Sequence, residues 1–301
     1  VEETRKLLAI DSPSGYTANV AEYLMKEYKA LGYEPVQTVK GGVLVKIGGA
    51  DENDAVLLEA HGDTLGAMVC QRKSSGRLKV TPLGGMNPNN AEAENCRIVT
   101  KSGKVYTGTC QLANASIHVN GEYNDTKRSW DTVEIVVDEP VSSVEDLNAL
   151  GISNGDIVCF DPRTTVTASG YIKSRFLDDK LSVGILLGYA KYLKEEKVTP
   201  KRCVYQHITV YEEVGHGASA TVPEGVTEIL SVDMGCVGEG LECDERMVSI
   251  CAKDSRGPYN YQVVSALTAA AKEKNLNYAV DIYPFYGSDA EAALTAGYDV
   301  R

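Results

Sequence analysis

Two neighbouring glutamates, Glu212 and Glu213, close the segment YQHITVYEEVGHG, which runs from Tyr205 to Gly217. The segment opens with strand-like alternation: Tyr205, His207, Thr209 and Tyr211 on one face, Gln206, Ile208 and Val210 on the other. It ends in a glycine-bracketed turn. Successive side chains of an extended backbone point to opposite sides. Adjacent acids at a strand end can therefore face different partners, one a cation and the other a substrate. An isolated Glu-Glu pair is more often a solvated turn. Three further positions shift that balance: His61 in HGDTLG, Asp178 in FLDDK and Asp233 in SVDMG. All are expected at or just past the carboxyl ends of strands, the edge of an open α/β sheet where ligands bind. Taken singly they read as a loop histidine, a helix N-cap and a turn former. Taken together they follow strongly apolar runs, where an unpaired charge is costly to bury, and a shared divalent cation removes that cost.

Carboxylate and imidazole ligands suit Zn²⁺, Co²⁺ or Mn²⁺. Three carboxylates and a histidine exceed the usual protein complement of one catalytic zinc, which keeps a position open for water. A two-metal site with one bridging carboxylate fits the count, provided one further ligand exists. Asp63, two residues beyond His61, is placed to accept the other ring N–H and fix the imidazole.

The elements that must position these residues follow from pattern. Helices are expected over 2–9 and 16–31, the second with Val20, Leu24, Tyr28 and Leu31 at helical spacing and Gly32 as its cap. Strands are expected at 33–39, 43–47 and 54–60, the last with the near-continuous apolar character of a buried strand. From about 67 to 165 the texture becomes all-β, in short alternating runs divided by Gly, Asn and Pro, with a short helix near 143–149. From about 170 the α/β pattern returns. A helix over 179–196 carries an apolar stripe of Val183, Leu186, Leu187, Ala190 and Leu193, followed by strands at 203–211, 228–235 and 247–253. A helix over 259–274, a strand at 277–283 and a final helix from GSDAEAALTAG complete the chain. The expected fold is α/β, a mixed sheet flanked by helices with a small β-barrel inserted. Its divisions are 1–66 and 166–301 for the catalytic domain and 67–165 for the insertion. The chain stops at AGYDVR, just after a helix cap and entering what reads as another strand, so the expectation is an incomplete C-terminal end.

Bulk properties narrow the class. A chain of 301 residues with 43% hydrophobic and 24% charged residues is that of an ordinary globular protein with one large domain or two. A net charge of −12 argues against a nucleic-acid or anionic-membrane binder. No apolar run reaches membrane-span length, and VEETRKLLAI lacks the layout of a secretory signal. The eight cysteines show no C-x-x-C pair and no zinc-finger spacing, which favours reduced thiols in a cytoplasmic protein.

The order HGDTLG, FLDDK, EEVG, SVDMG, with an insertion after the first motif, resembles the dinuclear-metal aminopeptidases of the tetrahedral type. That family holds glutamyl, leucyl and lysyl aminopeptidases and members labelled endoglucanase or cellulase. The resemblance covers the whole chain, including a PDZ-like dimerisation domain at the insertion and the GSDAEAA segment. It implies that His61, Asp178 and Asp233 hold one metal, that Asp178 bridges to a second held by Glu213, that Glu212 is the general base and that Asp63 orients His61. It also implies an unusual peptide bond between Asp178 and Asp179, and dimers through the insertion assembling into a twelve-subunit shell. The family's second metal takes a further histidine from beyond the last residue here, and neither His118, His207 nor His216 matches it.

The activity so implied is removal of the N-terminal residue from short peptides. The glutamyl members suggest an acidic residue there, with Arg256, Ser288 and Asp289 as candidate substrate contacts. Two other classes compete. A glycoside hydrolase also uses two carboxylates, but adjacent Glu212 and Glu213 cannot flank a sugar bond. A non-catalytic assembly protein is the third, and it predicts no bound metal.

Overall fold

The computed structural model describes residues 1–301. Its strands are β1 (Val36–Gln37), β2 (Val43–Gly48), β3 (Asp51–His61), β4 (Gly66–Arg72), β5 (Leu78–Leu83), β6 (Asn95–Val99), β7 (Val105–Leu112), β8 (Val133–Val137), β9 (Ile157–Phe160), β10 (Thr165–Val166), β11 (Ile172–Lys173), β12 (Arg202–Thr209), β13 (Val226–Ser231), β14 (Val248–Lys253) and β15 (Tyr278–Ile282). Its helices are α1 (Glu2–Leu8), α2 (Ala18–Ala30), α3 (Pro88–Ala91), α4 (Val144–Leu150), α5 (Leu177–Glu195), α6 (Tyr261–Glu273) and α7 (Asp289–Thr295). The chain divides into two compact units, residues 1–20 with 63–176 and residues 21–62 with 177–301.

The first unit is built on a closed barrel in the order β4-β5-β8-β7-β6-β9. Closure leaves no unpaired strand edge. Inward positions alternate along each strand, so Val69, Leu78, Val80, Ile98, Cys110, Ile135, Val158 and Phe160 form one apolar cluster with Leu147 of α4. Truncating a residue as large and as buried as Phe160 to Ala costs about 3–5 kcal/mol. Residues 1–20, 63–66 and 166–176, expected with the catalytic domain, fall in this unit. The reason is backbone pairing at the DSPSG turn. The Thr64 N–H donates to Ser12 O and the Ser14 N–H to Thr64 O. At the other end Arg175 reaches back to Glu94 Oε2 at 2.8 Å.

The second unit is organised by a five-stranded sheet in the order β1-β2-β12-β3-β13. β12 and β13 both run parallel to β3, with Thr209 opposite His61 and Ser231 opposite Glu59. That register brings the carboxyl ends of three strands level, the arrangement that gathers ligands in open α/β sheets. The expected stripe of α5 is buried throughout, and the helix packs on β3. β12 departs from the predicted alternation. As a central strand it is buried on both faces, including Gln206 and His207. Gln206 is satisfied there, accepting from Tyr28 Oη at 2.8 Å and donating to Leu186 O at 2.9 Å, as a buried amide requires. The strand ends at Thr209, two residues short of the expected 211. β1 keeps only two residues of the expected 33–39, and β14 and β15 pair with each other as a separate parallel ribbon. No helix is long and apolar enough to cross a membrane.

Candidate metal centre

His61 is the last residue of β3, Asp233 lies two residues beyond β13, and Glu212 opens a 3₁₀ turn (Glu212–Val214) three residues beyond β12. Asp178 is different. It stands in the first turn of α5, where Asp178 and Asp179 have non-helical dihedrals and are joined by a cis peptide bond. Ligand atoms of His61, Asp178 and Asp233 all lie within 4.8 Å of one another. Four segments far apart in sequence thus converge on one edge of one sheet.

The imidazole is buried and faces acids. Its Nε2 lies 2.9 Å from Asp178 Oδ1 and 3.6 Å from Glu212 Oε2. A ring nitrogen carries at most one proton and satisfies at most one of them. Behind His61, its backbone N–H donates to Asp179 Oδ2 at 3.0 Å, while Asp179 Oδ1 is buried without a hydrogen-bond partner. Burial, then the charge of Asp233, pushes the Asp179 carboxyl well above its ordinary value. Burial also raises Asp233 to about 6, with Asp178 adding to the shift and His61 opposing it. Glu212 is pushed up to about 9, again by burial first, with Asp289, Asp233 and Glu213 adding and His61 opposing. Carboxylates that repel one another in a dry site are the setting in which a divalent cation offsets both penalties. The donor set of one imidazole and two carboxylates fits Zn²⁺, Co²⁺ or Mn²⁺.

The remaining expected residues are distributed as follows. Glu213 shares the 3₁₀ turn with Glu212, close enough to raise its pKa, but is not part of the three-residue group. Asp63 is fully buried in the first unit and accepts from the Ser14 hydroxyl. Asp289 does not present a free carboxylate. It is buried, with Thr209 Oγ1 donating to Oδ2 and the Ala218 N–H donating to Oδ1 at 2.8 Å. Ser288 Oγ is 2.7 Å from Tyr259 Oη, whose hydroxyl donates to Asp254 at 2.7 Å. Arg256 is half exposed, its Nε 3.7 Å from Glu291 Oε2. Its Nη2 lies 3.9 Å from where a Cβ on Gly215 would stand, beside the glutamate turn.

The roles of four residues were not anticipated. Asp179 supports the backbone of His61. Tyr286 hydrogen-bonds Asp233, and burial followed by that acid's charge raises its own pKa. Glu59 and His207, opposite each other on β3 and β12, form a buried pair at 3.1 Å. Burial raises Glu59 to about 8 and lowers His207 to about 4. A glutamate inside DAVLLEAH was the available signal for that pair, because an acid amid a buried strand needs a partner.

An α/β sheet edge that gathers an imidazole and carboxylates defines the class as an α/β protein with a candidate metal centre. Comparison with known proteins makes the assignment specific. The M42 glutamyl aminopeptidase family matches residues 41–301. The chain is 43% identical to YhfE of Bacillus subtilis (strain 168) over 303 residues, covering 100% of this chain and 87% of that protein. It is 26% identical to the glutamyl aminopeptidase of Lactococcus lactis subsp. cremoris (strain MG1363), over 71% of this chain and 60% of that protein. The Pyrococcus horikoshii TET1 peptidase, which can assemble into a tetrahedron or a large octahedral shell, superposes with a TM-score of 0.83 at 22% identity, covering 97% of this chain and 86% of that one. The chain belongs to the M42 family, whose members are metal-dependent aminopeptidases.

Proposed function

We propose that this protein removes the N-terminal residue from short peptides in a divalent-metal-dependent hydrolysis with Glu212 as general base. One observation carries the role. Glu212 Oε2 comes within 3.6 Å of His61 Nε2 yet stands outside the group formed by His61, Asp178 and Asp233. A general base must reach the water it deprotonates rather than be used up as a ligand. His61, Asp178 and Asp233 would hold one ion, and Asp178 with Glu213 a second, with Zn²⁺ or Co²⁺ favoured and Mn²⁺ compatible. A cation there supplies Lewis-acid polarisation of the scissile carbonyl and lowers the pKa of water to about 7. Glu212 takes the water's proton and returns it to the leaving amine, a transfer worth roughly 10²–10⁴ in rate.

The preference we propose is for an acidic N-terminal residue. The support is Arg256, whose guanidinium stands beside Gly215 and so at the glutamate turn, and the glutamyl activity named for the lactococcal relative. Assembly is proposed as dimers through the barrel building a twelve-chain shell, by analogy with TET1. The glycoside hydrolase reading gains nothing from the geometry. Glu212 and Glu213 sit on one single turn, whereas a glycosidase needs carboxyls about 5 Å or more apart on opposite sides of the bond.

The test is a panel of aminoacyl anilides assayed on chelator-treated protein after separate addition of Zn²⁺, Co²⁺ and Mn²⁺. The expected result is restored hydrolysis, greatest for glutamyl and aspartyl anilides. Activity indifferent to metal, or absent on every substrate, overturns the enzyme reading. Absence of bound metal as well would favour the assembly protein.

A further inference from the structure

The assignment of Glu212 as base raises the question of what holds that side chain still, and the inference here rests on that assignment. The two glutamates stand on a 3₁₀ turn of three residues, entered through Tyr211 at φ 73° and left through Gly215 at φ 85°. A single turn has no hydrogen-bond ladder long enough to fix itself, and the left-handed region is strained for a tyrosine. The order of this loop must come from elsewhere in the chain.

Two side chains from distant sequence take up the loop's polar groups. Asp289 spends one carboxylate oxygen on the Thr209 hydroxyl, at the loop's beginning, and the other on the Ala218 N–H, at its end. It therefore ties residue 209 to residue 218 through one rigid group. Gly217 passes so close to this carboxylate that a Cβ there would overlap both oxygens. Lys40 grips the same loop at its other polar groups. Its ammonium donates to the carbonyls of His216 and Gly217, the latter at 2.9 Å, and to Ser219 Oγ at 3.2 Å. It also lies 5.9 Å from the centroid of the Tyr211 ring, which stacks on His216 at 5.1 Å and 17°. A charged donor over a row of carbonyls is the stronger kind of hydrogen bond.

We propose that Asp289 and Lys40 are positioning residues. Together they clamp the loop from Thr209 to Ser219 and thereby hold Glu212 in its working place. Neither is assigned contact with the reacting atoms. Misplacing a catalytic group by about an ångström can cost about 10²-fold in rate, so a clamp of this kind acts on kcat and leaves ground-state binding of substrate largely intact.

The experiment uses the full chain as Asp289→Ala, Asp289→Asn and Lys40→Met, with three readouts: deuterium uptake across residues 210–219, zinc bound per chain, and kcat and KM on the best anilide. In Asp289→Ala, uptake across the loop should rise and kcat fall about 10²-fold, with KM within about threefold and zinc unchanged. Asp289→Asn should restore most of kcat, because its amide oxygen still accepts from Ala218 and its amide nitrogen can donate to the Thr209 oxygen. Lys40→Met keeps the aliphatic stem and should raise uptake in the same segment, with about a tenfold loss of kcat. Unchanged uptake in the variants overturns the clamp. So does equal loss in Asn and Ala, or loss of bound zinc. If Asp289→Ala does not fold, Asp289→Asn and Lys40→Met decide the matter. If the wild-type chain hydrolyses no anilide, the functional reading fails while the uptake comparison still decides the clamp.

Discussion

Buried carboxylates are treated in opposite ways by the two units. In the barrel unit, Glu134 is buried, but Lys73 and Arg77 both reach it, Arg77 at 2.6 Å. Burial pushes its pKa upward and the two basic partners outweigh that push, leaving it below its ordinary value. Glu94 is likewise met by Arg163 and Arg175, each at 2.8 Å, and Asp156 accepts from the Ser153 and Lys101 N–H groups. In the sheet unit, Asp179, Glu212, Asp233 and Asp289 face one another and the imidazole, and burial drives each of them up. Both units bury acids, but Glu134 and Glu94 of the barrel are met by basic side chains, whereas the acids at the sheet edge are met mainly by one another and by one imidazole. A structural carboxylate is recognised by the donors that meet it, as Lys73 and Arg77 meet Glu134. A cluster whose acids raise each other's pKa marks the place where a cation or chemistry is expected.

That contrast can be broken by experiment, and the largest effect should come from the base. Glu212→Gln keeps the shape and removes the proton acceptor, so kcat should fall about 10³-fold with metal stoichiometry unchanged by elemental analysis. Loss of metal instead would mean that Glu212 belongs with the ligands. The barrel counterpart should behave in the reverse manner. Glu134→Ala strands two basic side chains that can still reach water, and should cost about 1–3 kcal/mol in a urea titration while kcat stays at the wild-type value. A fall in activity with no loss of stability would remove the distinction between the units.

The next effect is one of sign with pH. Asp289 is held at about 6 by burial, above the 3.8 of a free aspartate. Between those values the folded chain keeps a proton that the unfolded chain has released. Its contribution is therefore fully present below about pH 4 and lost as pH rises through about 6. Asparagine does not titrate there, so the stability of Asp289→Asn relative to wild type should grow by about 1–3 kcal/mol from pH 4 to pH 7. Glu134 must run the other way, its contribution present above its ordinary value and lost as pH falls through its lower folded one. Urea midpoints at four pH values check both, and a flat difference for Asp289→Asn would refute its raised pKa. The smallest effect concerns selectivity. Arg256→Ala should lower the glutamyl-over-alanyl anilide preference about tenfold, since each factor of ten is about 1.4 kcal/mol. An unchanged preference would place the acid-recognising group elsewhere.

Much of the sheet edge was legible because its residues break apolar runs. His61, Asp178 and Asp233 each interrupt or follow a hydrophobic segment, and all three come together. The apolar stripe of α5 was legible for the same reason, since helical periodicity is local. Residues with ordinary local explanations were harder to read. Asp289 looked like part of a helix start facing substrate, and the fold buries it against Thr209 and Ala218. Lys40 sat in a Lys-Gly-Gly turn with no hint that it would reach residues more than 170 positions away. The membership of residues 1–20 was missed because it depends on backbone pairing between Ser12–Ser14 and Thr64, which side-chain pattern does not encode.

The sequence by itself determined the chemistry on offer: which acids and which imidazole close which strands, that a β-rich segment interrupts an α/β one, and that two glutamates stand next to each other at a turn. Those are properties of residue type and short-range spacing, and they survive without coordinates. Only the tertiary structure decided how the acids are divided between partners. Parallel register of β3 with β12 and β13 sets His61, Glu212 and Asp233 level, α5 delivers Asp178 to them, and Asp289 and Lys40 arrive from opposite ends of the unit to grip the loop. The physical reason is that a carboxylate's pKa and role depend on the charges and dielectric within a few ångströms. Those neighbours come from sequence positions that no local pattern connects.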